Sequence, residues 1–167
     1  MRDASPPLAG HMTRPIRIAI AVVPVVAASG LGGLVTRANI PTWYAGIAKP
    51  FFTPPNWVFA PVWTLLFAGM ALAAYRVLSR PPSAARTAAL RIHALQLALN
   101  VAWSAAFFGL NSPGAGLLVI APLLAAIALT IRAFAPLDRP AAWLLAPYLA
   151  WVAYATALNL GIWWLNG

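Results

Sequence analysis

The sequence predicts an all-α, polytopic membrane protein that forms a single bundle of five transmembrane helices. Of its 167 residues, 62% are hydrophobic and 8% are charged, whereas a soluble domain carries about 25% charged residues. Five apolar runs follow one another, and each is long enough to cross a bilayer core. Because most of the connectors are short, neighbouring helices should run antiparallel, and no second domain is expected.

The predicted spans cover about residues 16–35, 57–78, 87–110, 115–134 and 141–165. Each connector between the last four contains proline together with Ser, Asn or Asp, which is typical of turns. Residues 1–15 are basic and contain proline, so we expect a disordered N-terminus followed by a transmembrane domain over residues 16–167. A secretory signal peptide is the alternative for the first run, because arginines precede its apolar core. The length of that run and its Ser- and Gly-rich end favour a retained helix.

The basic residues indicate how the chain is oriented. A net charge of +9 would suggest a nucleic-acid partner for a soluble protein. Here the basic residues flank apolar runs, which excludes that partner. Nine of them share the side of the N-terminus and of the loops after the second and fourth spans: Arg2, Arg14, Arg17, Arg76, Arg80, Arg86, Arg91, Arg132 and Arg139. Since the other side holds Arg37 and Lys49, the positive-inside rule predicts a cytoplasmic N-terminus.

The composition also excludes several kinds of chemistry. The chain has no Cys and no Glu, two His and two Asp, so we expect no metal site, no nucleophilic triad and no obligatory cofactor. Both aspartates lie outside the spans, which disfavours a proton-coupled pump that relies on buried carboxylates. His93 is the one group at depth that titrates near neutral pH, so general acid–base catalysis lacks partners.

The stretch from Trp43 to Thr64, WYAGIAKPFFTPPNWVFAPVWT, combines many aromatic residues and prolines with Lys49, the single lysine of the chain. Prolines lack a backbone donor and bias the preceding residue away from the α region. We therefore expect the first half of the stretch to be a stiff, non-helical loop. Two interpretations stay open: an aromatic belt at the membrane surface, or a lid over a pocket that opens towards this loop.

Polar and aromatic residues follow one face of the third span. His93, Gln96, Asn100, Trp103 and Phe107 are spaced three, four, three and four, which places them together on a helix. They could be hydrogen-bonding contacts between helices or the wall of a ligand pocket. The fifth span offers a similar choice, because small Ala155 near Trp151 leaves room for a flat ligand or for helix packing.

The opposite face of the third span carries small residues, which we call the alanine ridge: Ala94, Ala98, Ala102, Ala105 and Gly109. Small residues at such spacing let membrane helices approach closely. The ridge therefore predicts a homodimer interface. Packing against another helix of the same bundle is the alternative.

Four stretches together resemble a known family: VP with a glycine cluster in the first span, WYAGIAKPFFTPPNWVFAPVWT, QLALNVAWSAAFFG and PYLAWVAYATALN. From Val23 to Trp163 the chain resembles the tryptophan-rich sensory protein and translocator protein family, also called the peripheral benzodiazepine receptor family, and its bacterial-type members in particular. The resemblance implies a bacterial cell membrane protein, usually a dimer, whose ligand cavity is closed by the loop after helix one. It also implies binding of porphyrins such as protoporphyrin IX and haem, and of isoquinoline or benzodiazepine-site drugs.

The resemblance carries ligand-binding roles to twelve positions: Trp43, Tyr44, Phe59, Ala60, Val62, Trp63, Asn100, Trp103, Phe107, Trp151, Ala155 and Leu158. In some bacterial relatives, tryptophans matching Trp63 and Trp151 are linked to light-dependent porphyrin breakdown. Animal members also bind cholesterol. The segment after Leu158 and Asn159 lacks the Tyr and following basic residue of the proposed sterol motif, so a cholesterol site of that kind is doubtful.

The expected function is that of a membrane receptor or sensor for tetrapyrroles. Such ligands are flat and apolar with carboxylates at one edge, which fits an aromatic slot whose rim carries Arg37 and Lys49. The expected partners are membrane lipid, the ligand and a second copy of the chain. Three alternatives remain: a light-dependent porphyrin-degrading enzyme using Trp63 and Trp151, a porphyrin transporter, and a purely structural membrane partner.

Overall fold

Six α-helices make up most of residues 12–167, the part of the chain that the computed structural model describes. They are α1 (Arg14–Asn39), α2 (Asn56–Leu78), α3 (Ala84–Ser104), α4 (Pro113–Phe134), α5 (Arg139–Leu144) and α6 (Ala146–Asn166). A π-helical turn extends α1 over Ile40–Tyr44, and another extends α3 over Ala105–Gly109. With these extensions, and with α5 and α6 taken together, five segments are long and apolar enough to cross a membrane. The predicted all-α architecture of five spans is confirmed.

Local sequence signals explain where several helices begin. The side chains of Ser83, Ser112 and Asp138 each accept a hydrogen bond from the backbone N–H three residues later, which caps α3, α4 and α5. Proline also occupies the first turn of α4 and α5, where its missing N–H costs nothing. Pro15 does the same in α1, which begins at Arg14, inside the segment predicted to be disordered; residues 1–11 of that segment lie outside the described residues.

Two predicted boundaries differ from the structure. The stretch after Trp43 does not begin as a loop, because the chain stays helical through Gly46. Prolines restrict only the residue directly before them, and Pro50 therefore leaves Trp43 to Gly46 free to continue the helix. The fifth span is divided at Leu145, because Pro147 has no N–H to donate to the carbonyl four residues earlier.

The long helices pack in the order α2, α1, α3, α4, α6, and α5 packs against α2 and α4. The main core is formed by residues of all six helices and lies towards the end of the bundle that carries most of the arginines, with Met70, Val77, Ile127 and Tyr148 fully buried. At the other end, which we call the loop end, α4 and α6 approach closely at Gly116. A Cβ atom there would lie 2.6 Å from Asn159 Oδ1, so only glycine fits.

The loop from Ile47 to Pro55, called the first loop below, lies against α6. The Tyr154 hydroxyl donates to the carbonyl of Phe52 at 2.6 Å. Asn166 exchanges two hydrogen bonds with the backbone of Ala48, at 3.0 and 3.1 Å. The ring of Pro50 covers Gly161, where a Cβ atom would lie 2.5 Å from the ring. Three contacts along one helix therefore fix the position of this loop.

Candidate ligand cavity

A cavity of about 740 Å³ lies between α1, α2, α3 and α6 in the loop half of the bundle. Its volume falls within the range of about 300–1,000 Å³ that is usual for small-molecule sites. Its floor is the well-packed core described above. None of the described residues of α4 contributes to its wall.

Eight of the twelve predicted ligand-binding residues line this cavity: Tyr44, Phe59, Ala60, Trp63, Asn100, Trp103, Trp151 and Ala155. Their rings are held mostly at steep angles to one another. Phe59 meets Trp151 edge to face at 5.9 Å, and Trp63 meets Tyr148 in the same way at 6.2 Å. Such pairs are favoured by the ring quadrupoles and hold the walls in place.

The other four predicted residues do not line the cavity: Trp43, Val62, Phe107 and Leu158. Phe107 stacks under Trp103 at 5.4 Å, and Trp43 meets its ring edge-on at the same distance. The π-helical turn explains this arrangement. It adds a residue to the turn and so shifts the helical phase, which places Phe108 on the cavity wall instead of Phe107.

Hydrogen bonds fix the polar residues of the wall. Asn100 Nδ2 donates to the Tyr148 hydroxyl at 3.1 Å, and Trp103 Nε1 donates to Asn159 Oδ1 at 3.1 Å. The two interpretations of the polar face of α3 therefore both apply, because Asn100 and Trp103 join helices and also line the cavity. His93 and Gln96 lie deeper in the bundle, bonded to each other at 3.2 Å and outside the wall.

Arg37 is the one charged residue of the cavity wall among the described residues. Lys49, predicted to share the rim with it, does not reach the cavity. Its ammonium group donates to the Ile47 carbonyl at 3.0 Å and lies 4.7 Å from the centre of the Tyr44 ring. The chain turns after Tyr44, which brings the Ile47 carbonyl and the Tyr44 ring close to Lys49. These two groups hold the Lys49 side chain away from the cavity.

Comparison with known sequences agrees with this architecture. The profile of the TspO/MBR family matches residues 19–165. The chain belongs to the TspO/MBR family. It is 40% identical over 158 residues to the tryptophan-rich protein TspO of Archaeoglobus fulgidus, covering 90% of this chain and 97% of that one. It is also 38% identical over 135 residues to the translocator protein of Bos taurus, covering 80% of each chain, and 40% identical over 124 residues to the tryptophan-rich sensory protein of Cereibacter sphaeroides, covering 74% and 77%.

This family membership confirms the resemblance seen in the sequence motifs. Together with the five spans, it makes the protein an integral membrane receptor or sensor of the TspO/MBR family.

Sequence reasoning predicted Arg37 at the rim of the cavity of this TspO/MBR protein but missed the rest of what α1 contributes to that cavity. Residues on one face of α1 line it: Ser29, Gly32, Gly33, Thr36, Arg37 and Ile40. Their spacings of three and four residues could have indicated in the sequence that they share a face of the helix. The small residues in this set are, however, equally typical of packing between helices. Gly32 serves both purposes, since a Cβ atom there would lie 3.1 Å from Ser104 Oγ on α3. The wall also includes residues that were not among the predicted site residues: Pro41, Asn56, Thr64, Phe67, Ser104 and Phe108.

The alanine ridge lies on the outside of the bundle. All five of its residues are exposed within the protomer. The alternative in which the ridge packs within the same bundle is therefore wrong for its alanines. At Gly109 a neighbour comes close, because a Cβ atom there would lie 3.3 Å from Val35.

Proposed function

We propose that this protein is a membrane receptor or sensor that binds tetrapyrroles, such as protoporphyrin IX and haem, and other flat hydrophobic ligands in the cavity. The observation that carries the proposal is an aromatic cavity of about 740 Å³ on whose wall Arg37 is the one charged residue among residues 12–167. Benzodiazepine-site drugs share the flat, apolar shape and belong to the same proposal.

The apolar surface of the wall suits a planar macrocycle. Indole rings of Trp63, Trp103 and Trp151 come from three different helices, so a flat ligand between them meets aromatic groups on several sides. Burial of an apolar ligand against such groups is favourable in proportion to the area removed from water. Asn100 and Tyr44 add polar groups that could fix the orientation of the ligand.

Arg37 suits the acidic edge of the ligand. Its guanidinium can donate two parallel hydrogen bonds to a carboxylate. The residue lies near the loop end of α1 and is exposed, so a propionate bound to it would remain close to the membrane surface. The macrocycle would then point into the bundle.

A spectral titration of purified protein with protoporphyrin IX and with its dimethyl ester tests this proposal. Arg37→Ala should weaken binding of the acid by about tenfold, since a charge-assisted bond contributes roughly 1.5–3 kcal/mol and exposure reduces that value. Binding of the ester should change little. Lys49→Ala is the matched control, because this cation lies outside the cavity wall. If the wild-type protein shows no saturable binding of protoporphyrin IX, the proposal is overturned. If Arg37→Ala loses equal affinity for the acid and for the ester, the role of Arg37 is overturned.

A second candidate function is light-dependent breakdown of the bound porphyrin. The observation that favours it is that Trp63 and Trp151 both line the cavity. Dioxygen would be the oxidant, adding both of its atoms across one carbon–carbon double bond of the macrocycle and leaving two carbonyl groups. Illumination in air should then give a new product with wild-type protein and with Trp57→Phe, an exposed control outside the wall. Trp63→Phe or Trp151→Phe should abolish that product, and porphyrin quenching without turnover would favour binding alone.

Assembly and location complete the proposal. The exposed alanine ridge supports a homodimer that leaves each cavity within its own protomer. A bacterial cell membrane with a cytoplasmic N-terminus fits the grouping of the arginines at one end of the bundle. A transporter of the same ligand remains the alternative, and uptake by proteoliposomes distinguishes it from a receptor.

A further inference from the structure

The exposed part of the cavity wall lies entirely on two helices. Six of the lining residues are exposed, three from the end of α1 and its π-helical extension and three from the beginning of α2: Gly33, Arg37, Pro41, Asn56, Ala60 and Thr64. We call this opening the α1–α2 gap. Lining residues from α3 and α6 are buried or half-buried, so the cavity communicates with its surroundings between α1 and α2.

The two helices pack tightly only in their other halves. Ala21 of α1 is buried against Ala74 and Leu78 of α2. Towards the loop end none of residues 56–65 of α2 is buried, and the cavity lies between the two helices. A Cβ atom at Gly33 would meet nothing within 4 Å. Apart from Arg37, the gap is thus lined by small and medium-sized side chains.

The gap reaches hydrocarbon depth. From Asn56 to Thr64 is eight residues of helix, or roughly 12 Å along the axis. A bilayer core is about 30 Å thick, and α2 contains 23 residues, so its ends lie close to the two membrane surfaces. Thr64 therefore lies well inside the apolar layer, where lipid chains surround the bundle.

The first loop does not cover this opening. None of residues 45–55, all of which the structure describes, lines the cavity. The loop is instead fastened to α6 by Tyr154 and Asn166 and by the fit of Pro50 over Gly161. The opening therefore lies in the loop half of the bundle, away from the arginine-rich end as expected, but between α1 and α2 and without a contribution from the first loop.

We propose that ligands reach the cavity sideways from the bilayer, through the α1–α2 gap, and not past the first loop from water. The proposal rests on the proposed function, because it concerns the same cavity. It specifies the ligand class as planar molecules that are dissolved in the membrane and carry their acidic groups at one edge. During passage the macrocycle would cross between Gly33 and Ala60, while its acidic edge stays near Arg37 at the loop end.

The first test needs no ligand. Because the chain has no cysteine, a nitroxide can be attached at Gly33→Cys or Ala60→Cys in liposomes, and its collisions with oxygen and with a water-soluble nickel chelate can be measured. Gly30→Cys, on the exposed face of α1, is the lipid control, and Gly46→Cys, beside the first loop, is the water control. Oxygen-dominated collisions at both gap positions support the proposal. Nickel-dominated collisions, or protection from both reagents, overturn it.

The second test measures protoporphyrin IX exchange between liposomes and the reconstituted protein. Gly33→Leu narrows the gap, whereas Gly30→Leu adds the same side chain outside it, and both positions have open space around them. Gly33→Leu should slow association by about tenfold, a barrier increase of about 1.4 kcal/mol, and should also slow dissociation, because both pass through the same gap. Gly30→Leu should behave as wild type. A weaker Kd with unchanged association would mean only that the leucine fills the cavity, and would overturn the proposal.

A third comparison separates the two routes. Tyr154→Phe combined with Asn166→Ala removes the side-chain hydrogen bonds that hold the first loop. The lateral route predicts an unchanged association rate, and faster association in this variant would overturn it. If wild-type protein binds no protoporphyrin, the proposed function fails, while the collision measurements still decide whether the gap is open to lipid.

Discussion

Trp103 on α3 donates its indole N–H to the Oδ1 atom of Asn159 on α6, at 3.1 Å. The amide of Asn159 in turn donates to the carbonyl of Pro113 at 2.7 Å, at the first turn of α4. One side chain therefore joins three helices behind the cavity wall. Asn159 is 1% exposed, so its own amide group cannot exchange these partners for water.

The first prediction concerns this junction. Asn159→Leu should destabilise the protein and weaken protoporphyrin binding, because the N–H of Trp103 and the carbonyl of Pro113 lose their partners. An unpaired buried group costs about 1–3 kcal/mol, although bonds between membrane helices average nearer 0.6 kcal/mol. Thermal unfolding in detergent measures the loss. Thr156→Val is the control, since that hydroxyl bonds only to a carbonyl of its own helix; equal melting temperatures for the two variants would contradict the prediction.

The sequence predicted five spans correctly because an apolar run of bilayer length is rarely anything but a membrane-spanning helix. Through the family resemblance it also identified Trp63, Trp103 and Trp151, which line the cavity. It failed where local geometry departs from an ideal helix. The π-helical turn after Ser104 moved Phe108 onto the wall, and no pattern with a period of 3.6 residues can show such a shift.

The position of Lys49 could not be predicted for a different reason. The sequence shows a cation among aromatic residues, but both a ligand carboxylate and the carbonyls of its own loop could attract it. The choice depends on how the chain turns after Tyr44, which brings the carbonyl of Ile47 within 3.0 Å of the Lys49 ammonium group.

Cavity residues of α1 such as Thr36 were missed because small and polar residues in a span are equally typical of packing between helices.

The second prediction concerns acid stability. Asp138 connects α5 to the end of α2 through Arg76 and Arg80. Burial raises the pKa of Asp138, but hydrogen bonds from Arg76, Arg80 and the Ala141 N–H outweigh burial and lower the pKa from 3.8 to about 2. The carboxylate of Asp138 therefore binds a proton less readily in the folded state than in the unfolded state. The ionised carboxylate stabilises the folded state fully above about pH 4, and this stabilisation is lost as the pH falls towards 2.

The size of that effect should not exceed about 2 kcal/mol, because one pKa unit corresponds to 1.36 kcal/mol and both arginines are partly exposed. Unfolding followed by near-UV circular dichroism between pH 7 and pH 2 measures it. Asp138→Asn should lower stability at pH 7 and flatten the profile below pH 4. A wild-type profile that is flat through this range would show that the ion pairs contribute nothing.

The third prediction concerns the attachment of the first loop. Gly161→Ala would place a Cβ atom 2.5 Å from the Pro50 ring, so the loop should separate from α6. Chymotrypsin should then cleave after Phe51 or Phe52 faster than in wild type, because a loop must detach from its support to enter a protease. Gly46→Ala is the control, since a Cβ atom there meets nothing within 4 Å. Equal cleavage of the two variants would mean that Pro50 does not hold the loop.

The last prediction concerns the alanine ridge. Ala98 and Ala102 are exposed on α3 and face away from the cavity wall, and association of membrane helices depends on close packing of such small residues. Ala98→Leu with Ala102→Leu should therefore give monomers in detergent, measured by light scattering, that bind protoporphyrin IX with wild-type affinity. Ala121→Leu with Ala125→Leu makes the same change on the exposed face of α4 and should leave the dimer intact. Loss of binding in a ridge variant that stays dimeric would show that this face belongs to the ligand site and not to the interface between protomers.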